Sequence, residues 1–251
     1  YLAGHAGQPW LQASPCLLAA AIVLCVVVIA LARLHKAPER SSWRDKHDHR
    51  VPKSPGRGGH SSLGVFWLMA LVANCTAMAF RAIMLNVFPD FGKDVLQYSE
   101  LQWGVLLAMT PLARTLMFIY WQRRHGWEYR ARYLFGVQAF LPLAAVVLIF
   151  NFSYWMFLVA FALAGVGMSK TYFASIFYSM DSDHSHEHRG GIHEATLGAG
   201  SMTGPLLAGT LASASGHVRA PYVFIFVVLL VGMLIQTVMY LSAAAEGTTK
   251  Q

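Results

Sequence analysis

The stretch Arg189-Gly-Gly-Ile-His-Glu-Ala-Thr-Leu-Gly-Ala-Gly-Ser-Met-Thr-Gly-Pro-Leu-Leu-Ala-Gly-Thr210 decides how the chain is read. It is long and apolar enough to cross a bilayer. Yet it holds Glu194 near its entrance, glycines at Gly191, Gly198, Gly200, Gly204 and Gly209, and a proline at Pro205. Gly200 and Gly204, four residues apart, let a second helix approach backbone to backbone. Pro205 removes one helical hydrogen bond and permits a bend. A helix facing only lipid needs neither feature, so the stretch predicts a helix that packs closely and flexes against a partner.

Composition supports the membrane setting. Of 251 residues, 56% are hydrophobic and 12% charged, against about 25% charged in a soluble domain. About 20 apolar residues cross the hydrocarbon core, and lipid offers nothing to an unpaired backbone amide. An all-α membrane protein with seven transmembrane helices is therefore expected, at 15–33, 63–88, 101–121, 132–150, 153–178, 191–213 and 221–243. Cys16, Cys25 and Cys75 all lie in apolar runs, which argues against a disulfide framework or a metal centre. No nucleophile elbow, phosphate-binding glycine loop, zinc-helix motif or paired Cys-x-x-Cys occurs, so neither an enzyme nor a cofactor is expected. The chain opens on Tyr1 with no basic segment before its first apolar run, which argues against a signal peptide and suggests part of a longer protein.

Lysine and arginine set the expected orientation. The connection after the first span carries eight, from Arg33 to Arg57, and the one after the third carries Arg123, Arg124, Arg130 and Arg132. With Arg189 and Lys250 they share one side, and only Lys93 and Arg219 lie on the other. This predicts a cytoplasmic carboxy terminus, and it accounts for the net charge of +7 without any nucleic acid. Pro38, Pro52, Pro55 and Gly58-Gly59 make residues 35–62 read as a cytoplasmic basic tether.

A charge in mid-membrane costs roughly 2.5–3.5 kcal/mol on insertion scales, so each one marks a helix shielded from lipid. Spans two, three, five and six carry Arg81, Arg114, Lys170 and Glu194, whereas the interiors of spans one, four and seven carry no charge. A period of three along the spans suggests a three-helix repeat with every third helix peripheral.

Two features bear a family resemblance. Gly191, Gly200, Gly204-Pro205 and Ala208-Gly209 resemble the antiporter motif of the major facilitator superfamily, with Ala208 in place of the first of two closing glycines. Arg123-Arg124-His125-Gly126-Trp127 resembles the same family's cytoplasmic loop motif, lacking its acidic partner and with Trp127 in place of a basic residue. The resemblance implies that 1–34 is the last helix of an amino-terminal half, 35–62 the central loop, and 63–251 a six-helix carboxy-terminal half. A layout with an extra leading helix, making 191–213 a true fifth helix, also fits.

The resemblance further implies that spans two and five line a central cavity and that three and six form the seam between halves. Asn74 and Arg81 share a face of span two. Arg81 then reads as a ligand for an anionic group, or else as a residue reaching the outer headgroups. Tyr172 and Ser175 are candidate cavity residues on span five. Lys170 and Glu194 lie on the same side, as a candidate ion pair closing an inner gate, and Glu194 with His193 is a candidate proton relay. Arg114 is placed at the seam. His184, His186 and His188 alternate beside carboxylates, a weak metal site and more simply a solvated turn.

The expected function is secondary transport of a small, anionic solute by alternating access, with proton coupling, in a bacterial inner membrane. The expected partners are lipid and a missing amino-terminal half. The alternative is a non-transporting membrane sensor or scaffold using the His-rich loop.

Overall fold

Lipid-compatible backbone requires complete internal hydrogen bonding, and a computed structural model shows how the chain meets it. The structure describes residues 60–123, 127–150, 153–180 and 186–248, and every described regular element is a helix. The expected leading helix within 1–34 and nearly all of the basic linker lie outside the described residues.

Helix α1, His60–Asn86, runs on through a turn at Pro89 and a π-helical turn, Phe91–Val95, into one membrane-length segment, Gly64–Val95. Helix α2, Glu100–Arg123, opens with a capping box: Gln102 N–H donates to Ser99 Oγ at 3.3 Å, and Ser99 N–H donates to Gln102 Oε1 at 2.9 Å. Helix α3, Ala131–Phe150, breaks at Ala139, because Pro142 has no N–H to offer the Gln138 carbonyl. Three long helices complete the bundle: α4, Tyr154–Met180, α5, His186–Ser215, and α6, Ala220–Thr248.

Five helices are long and apolar enough to cross a membrane: Gly64–Val95, α2, α3, α4 and Ala220–Ala245 of α6. They match the expected second to fifth and seventh spans. The expected sixth, 191–213, lies inside α5, a 30-residue helix that is not among the five. Its glycines, hydroxyls, His193 and Glu194 dilute its apolar character, and α1 shelters part of it.

The packing has an internal order. Helix α5 lies along α1 as α2 lies along α4, and α6 packs on α1 as α3 packs on α4. Exchanging the first three helices for the last three maps these main contacts onto one another, as expected of a three-helix repeat. Helices α1 and α4 touch each other at the centre. The close approaches rest on glycine. A methyl group at Gly200 or Gly204 would strike the α1 backbone at Cys75 and Ala79, and one at Gly165 of α4 would strike Thr110 and Ala113 of α2.

Two aromatic clusters close the bundle. At the end bearing the connection after α2, here called the basic end, Phe66, Trp67, Trp121, Trp127 and Tyr178 are buried together. At the opposite, far end, Phe88 meets Phe91, Trp103, Phe157, Phe161 and Tyr222, with ring centroids 5.2–6.1 Å away. The connector there holds an exposed Lys93–Glu100 ion pair at 3.2 Å. Burial raises the Tyr98 phenol above its ordinary range, with a smaller push from Tyr154.

Candidate functional site

Helix α4 carries five of the eleven polar or charged side chains buried among the described residues, more than any other helix. Ser175, wholly buried, shares a 2.7 Å hydrogen bond with Nδ1 of His193 on α5, itself 3% exposed. The His193 Nε2 has no hydrogen-bond partner among the described residues. The Tyr172 ring stands edge-on to His193 with centroids 5.3 Å apart, and the Arg114 guanidinium lies over the same ring at 4.4 Å. Arg114 also lies 5.2 Å from the Phe118 ring centre. Arginine, tyrosine, histidine and serine therefore form one continuous stack from α2 across α4 to α5.

A second arginine, Arg81, is exposed near the far end of α1. Neither guanidinium forms an ion pair with a carboxylate among the described residues. Below Tyr172 toward the basic end, an open groove of about 470 Å³ runs between α2 and α4, lined by Phe118, Gln122, Tyr172, Phe173 and Phe177 among others.

Three of the predicted residues sit differently from the sequence reading. Asn74 and Arg81 do not present one open face: Asn74 is fully buried with both amide atoms unpartnered among the described residues, while Arg81 is exposed. The reason is that α1 is enclosed by α4, α5 and α6 along nearly its whole length. Ser175 is likewise sealed beneath His193 instead of lining open space. Lys170 forms no ion pair with Glu194. Lys170 is 1% exposed and Glu194 is exposed on α5.

What surrounds Lys170 is aromatic. Its Nζ lies 3.1 Å from the ring centre of Trp127 and 4.0 Å from that of Trp121. Nothing in the sequence singles out Trp121, and Trp127 stands out only as a departure from a basic pattern. An indole standing where a cation is expected is the one signal that points there.

The glycines also divide. Gly200 and Gly204 press on α1 within this bundle, and Pro205 lies inside the unbroken α5. Gly191 and Gly209 have nothing within 4 Å of where a methyl group would stand. Of the histidines, His184 lies outside the described residues, His186 begins α5 and His188 is exposed. No group of three or more potential metal ligands occurs among the described residues.

Apolar helices of membrane length, packed as two exchangeable triplets, define an integral multi-pass helical membrane protein. Residues 1–192 match the family model of the Major Facilitator Superfamily, and the chain belongs to that superfamily of membrane transporters. The match ends before Gly200, Gly204, Pro205 and Gly209. No curated protein and no solved structure matches the chain.

Proposed function

We propose that the chain contributes to a secondary active transporter that moves a small anionic solute by alternating access. One observation carries the choice of solute. Arg114 stands over the Tyr172 ring with its Nε buried and unpartnered, and no carboxylate pairs with it or with the exposed Arg81 among the described residues. A guanidinium without a counter-charge facing a low-dielectric interior is unfavourable, and a bound anion supplies what is missing. Tyr172 supports the guanidinium of Arg114 from below, an arrangement worth about 0.5–2 kcal/mol depending on exposure.

Proton coupling is assigned to His193 with Glu194 beside it, since an imidazole changes charge near neutral pH. The small-residue face of α5 at Gly191 and Gly209 suits contact with a second half-bundle, and the basic connections suit a cytoplasmic placement in a bacterial inner membrane. The antiporter-like motif favours export.

The test is solute flux by the full-length protein in proteoliposomes, across a panel of organic and inorganic anions. Arg114→Ala and Arg81→Ala are each expected to cut anion flux at least tenfold. Glu194→Gln should abolish its dependence on a proton gradient. Undiminished flux in both arginine variants would remove the anion site.

A further inference from the structure

Lys170 is a cation buried inside the bundle with no hydrogen-bond acceptor among the described residues, and that calls for a physical reason. An ammonium taken from water loses its hydration, and one without a partner is strongly unfavourable. The faces of Trp121 and Trp127 supply the compensation, because an indole ring attracts a cation within about 6 Å of its centre. Trp121 ends α2, but Trp127 belongs to the connection between α2 and α3. The ammonium is thus held in place by a loop.

The described part of that loop, from Trp127 on, is fastened to α4. Trp127 packs on Phe173 and Phe177 of α4 at 5.3 and 5.0 Å between ring centres. Tyr129 donates its backbone N–H to the Tyr178 hydroxyl at 3.2 Å and stacks on that ring at 5.1 Å. It does so at a φ of 54°, a backbone conformation that non-glycine residues seldom adopt. Lifting the strap would take the nearer indole, Trp127, away from Lys170 and expose the ammonium at the same moment.

We infer that Trp127 and Lys170 are a positioning pair for transport, a cation–π latch that holds the basic end of the bundle shut. This rests on the alternating-access reading above, and it replaces the Lys170–Glu194 ion pair as the closing contact. Shut, the ammonium lies between two indoles. Open, it meets water or an anion, which compensates its charge equally well. A latch of this kind can exchange partners at little net cost, whereas an apolar plug cannot.

The test uses the full-length protein in vesicles, with its cysteines replaced and a single reporter introduced as Ala174→Cys, one turn from Lys170 and buried beneath the strap. Maleimide labelling needs no solute, so its outcome is separate from that of the flux assay. Trp127→Ala should speed labelling at least tenfold and Lys170→Met, an apolar plug with nothing to hydrate on opening, should slow it at least tenfold, while Lys170→Arg and Trp127→Phe, which keep a cation and a ring, should stay within threefold of the parent. The thermal midpoint of Lys170→Met should be no lower than that of the parent, because the variant removes a desolvated charge. Unchanged or faster labelling in Lys170→Met, labelling in Lys170→Arg as slow as in Lys170→Met, or a Lys170→Met protein that fails to fold would each overturn the latch and leave Lys170 as packing alone.

Discussion

At the far end of the bundle Phe88 is surrounded by five rings and touches no charge; at the basic end Trp127 is surrounded by four rings and covers an ammonium. Both ends are sealed by aromatic side chains, yet only the basic-end seal covers a buried ammonium. The far-end seal draws its rings from α1, α2, α4 and α6, so that it ties helices from both triplets to one centre. The basic-end seal depends on a connecting strap and on polar contacts, among them Trp67 Nε1–H donating to Ser179 Oγ at 3.0 Å. Ring density therefore does not tell a fixed seal from a movable one. What distinguishes them is whether the buried groups have an alternative partner once exposed.

The strongest way to break that contrast is to remove the centre of the far seal. Phe88→Ala deletes a fully buried ring and leaves a cavity among five others, with an expected loss of about 3–5 kcal/mol. Denaturant unfolding in detergent measures it. A loss below about 1 kcal/mol, smaller than that of Trp127→Ala, would mean that the far end is the looser of the two.

The second prediction concerns the symmetry between triplets. Gly204→Leu drives a side chain into the backbone of Ala79, and Gly165→Leu does the same at Thr110 and Ala113. Backbone in a packed helix cannot move aside as a side chain does, so each should cost about 1–3 kcal/mol. The exchange of triplets predicts losses of similar size. If one of the two is silent, the repeat is one of helix order without equivalent packing.

These elements show where the sequence was legible. Span positions could be read because lipid demands about 20 apolar residues of every crossing helix. The alternation of spans with charged and uncharged interiors foreshadowed the packing, since α3 and α6, charged only near their ends, do pair with each other and lie against α4 and α1. The Gly200–Gly204 spacing announced a close approach but not its partner, which proved to be α1 of the same bundle. Burial of Asn74 and Ser175 was hidden because helical spacing gives a shared face and says nothing of what covers it. The Lys170 site was hidden for another reason. Charge rules look for carboxylates, and its partners are two indoles brought together by the fold of a loop.

The smallest expected effect is the most discriminating. Gly191 and Gly209 lie toward opposite ends of α5, and in both places a methyl group would meet open space. Were they kept only for packing within this bundle, alanine would be harmless, and helix propensity even favours it by up to about 1 kcal/mol at an exposed interior position. Gly191→Ala and Gly209→Ala should accordingly leave the thermal midpoint unchanged or slightly raised. Flux then separates the two ends. A second half-bundle seated against α5 would feel the added methyl, and on the latch reading the basic end, near Gly191, opens and closes against it while the far end stays sealed. Gly191→Ala should slow transport about threefold, with Gly209→Ala closer to the parent. Equal slowing by both, measured as initial rates in the same vesicles, would place the moving contact along the whole of α5 and remove the difference between the ends.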